Sequence, residues 1–198
     1  MYLYVDSADD LSLGLIDKDY RIIEFKEIKA KKTSLVLQKS ILELLAAHNL
    51  KLNTLSGVIF CSGPGSYTGM RVGQGFVDIC KWQGIEVFSF YHFMIPQILG
   101  IQSGLWLASA FKGEDFIFEW MDESTHTKLI RRSELSEHLE NKSLYSRNEK
   151  FEDIETVSTQ NLLKDKGSQI FKWIVEKKVE KELYYFRPIE VEFKVPNA

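Results

Sequence analysis

The sequence predicts an α/β fold of two lobes, each with a mixed sheet and flanking helices. Two observations carry this prediction: three short apolar runs separated by turn residues open the chain, and a β-α-β unit follows them. A meander joined to a crossover helix gives a mixed sheet covered by helices. The 198 residues suffice for a substantial core. The pattern loosens between Pro96 and Gly104, so we expect residues 1–98 to form the first lobe and residues 99–198 the second.

The elements of the first lobe follow from apolar runs, helical spacing and turn residues. Thr33 or Ser34 is placed to cap the first helix, and the strand before the glycine-rich turn is apolar enough to be buried on both faces. We predict, in order, strands at Tyr2–Val5, Leu11–Ile16 and Arg21–Phe25, a helix at Thr33–His48, a strand at Leu55–Ser62, a helix at 68–83 and a strand at Ile85–Phe90.

The second lobe has a weaker pattern. We predict a hairpin of Leu105–Phe111 and Phe116–Met121 that turns at Lys112–Asp115, followed by a short helix at Ser133–Leu139 that Ser133 caps. A longer helix is predicted over Thr159–Glu182, and Gly167 splits or kinks it. The aromatic segment Leu183–Pro188 is predicted to pack back on the body.

Composition excludes several classes of protein. The hydrophobic share of 44% and the charged share of 27% are typical of a globular chain, and the net charge of −3 argues against strong direct binding of nucleic acid. No apolar run is long enough for a transmembrane helix, and no secretory signal opens the sequence. Cys61 and Cys80 lie in apolar surroundings, as expected of free buried thiols in a reducing compartment. We therefore expect a cytoplasmic protein.

A glycine-rich turn joins the buried strand to the second helix. Gly63, Gly65 and Gly69 allow positive φ and close approach of a ligand or of another backbone, and Ser66 and Thr68 can cap the helix. Such a turn can bind phosphate in principle. However, it lacks the Gly-Lys-Ser/Thr ending of a P-loop, and Thr68 stands where the dinucleotide fingerprint requires its third glycine. A structural turn is favoured, with a nucleotide site as the alternative.

The two first-lobe helices carry more apolar surface than one sheet can cover. Apolar residues of the first helix span roughly 200° of its circumference, against a stripe of roughly 100° for a helix on a sheet. Gly69 and Gly73 suggest a groove for another helix. Either the helices cover each other, or the surplus binds another protein. The candidate interface residues are Leu37, Ile41, Leu44, Leu45, Met70, Val72, Gly73, Phe76, Val77 and Cys80.

The string GPGSYTGMRVG resembles the signature of the TsaB (YeaZ) family, and residues 1–95 follow that family's order of elements. Tyr4-Val5-Asp6-Ser7 stands where the family has Ile-Asp-Thr-Ser, and Tyr184–Arg187 resembles its closing Tyr-Leu-Arg. The departures are Thr33-Ser34-Leu35 in place of His-Ser-Glu, and Ala110–Asp115 in place of an Asp-Ala-Arg segment. The signature residues are Gly63, Pro64, Gly65, Ser66, Tyr67, Thr68, Gly69 and Arg71.

The resemblance implies an actin-like (ASKHA) fold with a divergent second lobe. It further implies a non-catalytic subunit, without cofactor or metal, that supports a TsaD-like enzyme in forming N6-threonylcarbamoyladenosine beside the tRNA anticodon. A TsaE-like ATPase joins the pair, tRNA is bound only indirectly, and the pairing surface consists of the two first-lobe helices.

Two alternatives remain open. One is an actin-like ATP-dependent phosphotransferase or hydrolase, although Asp6 is followed by Ala8 where such kinases have glycine. The flanks of Ser66 also differ from a nucleophile elbow, and no two histidines have H-x-x-x-H spacing. The other alternative is a homodimer that forms through the same helices.

Overall fold

The computed structural model describes residues 1–29, 32–110, 113–139, 142–148, 151 and 154–187. The chain divides into two units. The first comprises Met1–Tyr91 with the segment that begins at Gly167, and the second comprises His92–Lys166. These bounds differ from the expected lobes, 1–98 and 99–198, because the last helix belongs to the first unit.

Three strands open the chain before the first helix, and the five strands of the second unit follow one another, among the described residues, without an intervening α-helix. The strands are β1 (Tyr2–Asp6), β2 (Leu11–Ile16), β3 (Ile22–Ile28), β4 (Gly57–Cys61), β5 (Val87–Phe90), β6 (Ser103–Ser109), β7 (Glu114–Met121), β8 (Ser124–Arg131), β9 (Leu144–Ser146) and β10 (Val157–Ser158). The α-helices are α1 (Thr33–Ala47), α2 (Tyr67–Trp82), α3 (Ile95–Ile98), α4 (Thr159–Asp165) and α5 (Gly167–Glu176), and 3-10 turns occupy Leu52–Thr54, His92–Met94 and Arg132–His138.

The first unit is built on a five-stranded mixed sheet of order β3-β2-β1-β4-β5. β1, β2 and β3 form an antiparallel meander, whereas β1, β4 and β5 are parallel. This arrangement confirms the meander and the β-α-β unit that the sequence predicts. The third strand begins one residue later than expected and extends to Ile28.

Helices cover both faces of this sheet. Alternate residues of β1 and β4, such as Val5 and Phe60, join α1 and α2 in one apolar cluster. On the opposite face Tyr4 contacts Phe171 of α5, with ring centroids 5.5 Å apart. Gly14 lies beside Tyr4 in the register, and its missing side chain leaves room for that ring. Each large apolar side chain buried this way contributes about 1.5–3 kcal/mol.

The second unit contains a five-stranded sheet of order β10-β9-β6-β7-β8. β6 and β7 form the predicted antiparallel hairpin, although Phe111 and Lys112 lie outside the described residues. The two faces of the hairpin differ. Leu107 and Ile117 pack with Leu135 on one face, while Trp106 and Phe118 contribute to an aromatic cluster.

Three local predictions require correction. Neither Thr33 nor Ser34 caps α1, whose cap residue is Lys32 without a side-chain hydrogen bond. The turn after β8 is a 3-10 helix that begins at Arg132, so Ser133 lies inside it. The long helix expected over Thr159–Glu182 is split before Gly167, as predicted, but it ends at Glu176. Among the described residues after α5, those at 177–187, there is therefore no helix.

The segment after α5 runs along the edge of the first sheet. The amide of Ser89 in β5 donates to the carbonyl of Val179 (2.8 Å), and the amide of Lys181 donates to Ser89 Oγ (2.6 Å). Tyr184 then donates its amide to the carbonyl of Ser62 (2.9 Å). We call Val179–Arg187 the C-terminal strap. Its aromatic part packs back on the unit, as the sequence predicts, and Pro188 lies outside the described residues.

Candidate protein-binding surface

The glycine-rich turn packs against the turn that follows β1. A Cβ atom at Gly65 would overlap the carbonyl oxygen of Ala8, and one at Gly69 would overlap the carbonyl oxygen of Ser7. The amide of Ser66 also donates to the Ala8 carbonyl. The glycines therefore permit close approach of another backbone, and that backbone belongs to the same chain. This favours the structural interpretation of the turn over a nucleotide site.

Ser66 caps α2, as the sequence predicts. Its Oγ accepts a hydrogen bond from the amide of Gly69 (3.3 Å), which satisfies one of the free amides of the first helical turn. Thr68 lies inside the helix and is exposed. Gly63 and Pro64 are buried at the end of β4, so the turn is anchored before the helix begins.

Asp6 is fully buried at the end of β1. Its Oδ1 accepts a hydrogen bond from the amide of Ala8 (2.9 Å), and its Oδ2 accepts one from the Tyr4 hydroxyl (3.2 Å). Both carboxylate oxygens thus bind groups of the first unit. The side chain thereby holds the turn against which the glycines pack.

Most candidate interface residues lie in the core rather than on the surface. The sequence therefore assigned the wrong face of each helix, since the positions that meet the sheet are also the most apolar ones. Gly73 leaves no groove for another helix, because Ser7 and Phe60 fill the adjacent space. Val72 and Phe76 are half-buried, and the buried candidates are Leu37, Ile41, Leu44, Leu45, Met70, Gly73, Val77 and Cys80.

Surplus apolar surface nevertheless exists on both helices. Leu35 and Leu42 of α1 are 74% and 58% exposed, and Ile79 and Trp82 of α2 are 47% and 85% exposed. Leu35 and Leu42 are seven residues apart and share one side of α1, and Ile79 and Trp82 share one side of α2. Exposed large apolar side chains on neighbouring helices are typical of protein interfaces.

Some of this surface could have been found from the sequence. Leu35, Leu42 and Ile79 are apolar positions within the two predicted helices, but periodicity alone does not show which side meets the sheet. Trp82 lies at the last position of α2. Its 85% exposure is known only from the structure.

Near the start of α2, the Arg71 side chain lies beside two tyrosine rings, that of Tyr67 in the same helix and that of Tyr185 in the C-terminal strap. Its guanidinium carbon lies 5.3 Å from the centroid of the Tyr67 ring and 5.8 Å from that of Tyr185 in the C-terminal strap. The two rings are 4.9 Å apart. Electrostatic interaction with Tyr185 raises the pKa of Arg71, which remains a cation. The sequence places Tyr67 and Arg71 one turn apart and predicts that the aromatic segment containing Tyr185 packs back on the body, but it does not predict that Tyr185 contacts these two residues.

Burial governs the chemistry of the cysteines. Cys61 and Cys80 are buried and are not joined in a disulfide, as predicted. Desolvation raises the pKa of the Cys80 thiol to about 11, so this group is protonated at neutral pH. It contributes to the core of the first unit.

Among the described residues, no helix combines the length and the hydrophobicity that crossing a bilayer requires.

Comparisons with known proteins agree with this architecture. A family model described as tRNA N6-adenosine threonylcarbamoyltransferase (TsaD) matches residues 26–84. A comparison with curated proteins gives no match. A crystal structure of a Pseudomonas aeruginosa protein, described as uncharacterized with similarity to peptidase YeaZ, is 16% identical with a TM-score of 0.61, and the match covers 92% of this chain and 99% of that one. YeaZ from Pseudomonas aeruginosa is 15% identical with a TM-score of 0.60, over 90% and 94% of the two chains.

These likenesses concern the fold. The chain has the fold of the YeaZ structures, with two mixed sheets and flanking helices, and this confirms the actin-like (ASKHA) class that the signature string implies.

Proposed function

We propose that this chain is a TsaB (YeaZ)-type, non-catalytic subunit that binds a TsaD-like enzyme and supports formation of N6-threonylcarbamoyladenosine beside the tRNA anticodon. One observation carries the proposal: Leu42 and Trp82 expose 58% and 85% of their surface on two neighbouring helices. The YeaZ fold and the TsaD-family match over residues 26–84, which contain both helices, support it. A cytoplasmic location and a TsaE-like ATPase as third component follow from the same proposal.

The proposed pairing surface consists of Leu35, Leu42, Ile79 and Trp82. Burying such side chains against a partner removes large apolar areas from water, at about 25 cal/mol per Å². Exposed tryptophan is also among the residue types that dominate binding energy at interfaces. These four exposed residues take the place of the candidate interface residues named from the sequence, most of which are buried. They lie on the same two helices that the sequence indicated.

Sedimentation of the chain mixed with the TsaD-like protein of the same genome tests the proposal. Wild-type chain is expected to form a complex, whereas the double variant Leu42→Asp, Ile79→Asp should bind at least about thirtyfold more weakly, because an interface hot spot costs 2 kcal/mol or more. Ile23→Asp is the matched control. Ile23 is 46% exposed on β3, the edge strand of the sheet, and belongs to neither helix, so this variant should bind like wild type.

Sedimentation, a tRNA-modification assay and titration with ATP and magnesium together separate the alternatives. The chain alone should leave tRNA unmodified, and the complex should carry the activity. If the wild-type chain does not bind the TsaD-like protein but forms homodimers that the double substitution disrupts, the proposal is wrong and the chain is a self-associating protein. Tight binding of ATP and magnesium by the isolated chain, lost on changing Asp6, would favour the enzyme alternative.

A further inference from the structure

The cluster of Tyr67, Arg71 and Tyr185 joins two distant parts of the chain. Tyr67 and Arg71 lie one turn apart in α2, and Tyr185 comes from the C-terminal strap. Both rings lie within 6 Å of the Arg71 guanidinium carbon, at 5.3 Å and 5.8 Å. Rings at this distance attract a guanidinium through cation–π interactions and favour side-chain positions beside them.

The C-terminal strap is held along its length, so the position of Tyr185 is defined. Lys81 near the end of α2 forms an ion pair with Glu180. Farther along the strap, the amide of Tyr184 donates to the Ser62 carbonyl at 2.9 Å. The strap therefore runs beside α2 from its C-terminal end to its N-terminal end, and Tyr185 meets the first turn of the helix.

Arg71 is exposed and, among the described residues, has no carboxylate partner. At 100° per residue, Arg71, Gly75, Ile79 and Trp82 fall within about 80° of the circumference of α2. At a rise of 1.5 Å per residue, Arg71 and Trp82 are about 16 Å apart along the helix axis. One exposed face of α2 thus carries apolar side chains at its C-terminal end and a positive charge at its N-terminal end.

We propose that Arg71, oriented by Tyr67 and Tyr185, is an anchor that binds a carboxylate of the partner protein and sets the direction in which that partner lies along α2. This inference rests on the proposed function, since it assigns a further contact to the same interface. The faces of the two rings lie beside the guanidinium carbon, and because a guanidinium carries five N–H donors, its contacts with the two tyrosines leave donors for a bidentate bond to a carboxylate. Because the side chain is already ordered, less entropy is lost on binding.

A protein carboxylate fits this cation better than an RNA phosphate does. The chain has a net charge of −3, which opposes a polyanion, and Arg71 shares its helix face with Ile79 and Trp82. Arginine and tyrosine beside apolar side chains are typical of the energetic centre of a protein interface. Phosphate binding by RNA would require further cations beside Arg71.

Calorimetric titration of the TsaD-like partner into chain variants tests the anchor. Arg71→Ala should weaken binding about tenfold or more, and Arg71→Lys should restore little, because an ammonium cannot form the bidentate bond. Tyr185→Phe keeps the ring and should bind within about twofold of wild type, whereas Tyr185→Ala should weaken binding severalfold. Lys172→Ala on α5 is the matched control for charge, since Lys172 is exposed on a helix that packs on the other face of the sheet.

Each result bears on the anchor separately from the proposed function. If Arg71→Ala binds like Lys172→Ala while Leu42→Asp, Ile79→Asp still breaks the complex, the anchor is refuted and the proposed function stands. If Arg71→Ala leaves partner affinity unchanged but reduces retention of tRNA by the isolated chain, the cation serves RNA and the proposal is overturned. A wild-type chain that does not bind the partner overturns both. Thermal unfolding at the wild-type temperature shows that each variant is folded.

Discussion

Gly73 and Gly75 lie two residues apart in the interior of α2, and the structure predicts opposite effects of alanine at the two sites. An added Cβ at Gly73 would lie 2.6 Å from Cε2 of Phe60 and would overlap Ser7 Oγ. Phe60 is fully buried and has little room to move, so overpacking should cost about 1–3 kcal/mol. Around Gly75 the corresponding space is empty within 4 Å. There alanine should stabilise the helix by about 1 kcal/mol.

The difference between the two variants isolates the steric cost, because both replace glycine by alanine in the same helix. Gly73→Ala should be about 1–3 kcal/mol less stable than Gly75→Ala. In a chain of this size the gap corresponds to about 2–12 °C in melting temperature. Urea unfolding followed by circular dichroism measures it directly. Equal stability of the two variants would refute the packing of Gly73 against Phe60 and would revive a free groove at this position.

Two further predictions concern thiol chemistry and pH. Cys80, whose pKa is raised to about 11 by burial, should resist iodoacetamide at pH 8 in the native chain and react after unfolding in guanidinium, and rapid native labelling would contradict its place in the core. Hydrogen bonds from Lys26 and His48 lower the pKa of Glu24 below its ordinary 4.5. The interactions of the Glu24 carboxylate therefore contribute less than about 1 kcal/mol of folding stability. This contribution is present above the ordinary pKa of the carboxyl group and is lost as the pH falls through the lower pKa of the folded state. Unfolding curves of wild type and Glu24→Gln should differ at pH 7 and converge near pH 3, and a constant difference would argue against the ion pair.

The sequence predicts the first unit better than the second, for a physical reason. Most of its strands are short segments dominated by apolar residues and its turns are rich in glycine, aspartate and serine, so local pattern and tertiary burial agree there. The sequence indicates Ser66 and Thr68 as candidate caps of α2, and Ser66 is the one that the structure shows. In the second unit β9 and β10 comprise only three and two residues, too few to show any period.

Burial within one helix is harder to predict than the helix itself. α1 is apolar around much of its circumference, and the side that is buried is fixed by contacts with β2 and α2, which lie elsewhere in the sequence. Leu37 and Leu42 therefore look equivalent in the sequence, although one is 4% and the other 58% exposed. The C-terminal strap presents the same difficulty, since the contact between Tyr67 and Tyr185 spans more than a hundred residues.

Fluorine NMR of Trp82 tests most directly whether the exposed faces of α1 and α2 bind the partner. The chain contains four tryptophans, so labelling with fluorotryptophan gives few signals. The signal of Trp82 is identified as the one that is missing from the spectrum of a Trp82→Phe variant. Trp82 is 85% exposed in the free chain, and its signal should respond to exchange of H₂O for D₂O. On addition of the TsaD-like protein that response should disappear, while the signal of the buried Trp106 stays unchanged. A complex in which Trp82 remains as open to solvent as before would place the interface elsewhere.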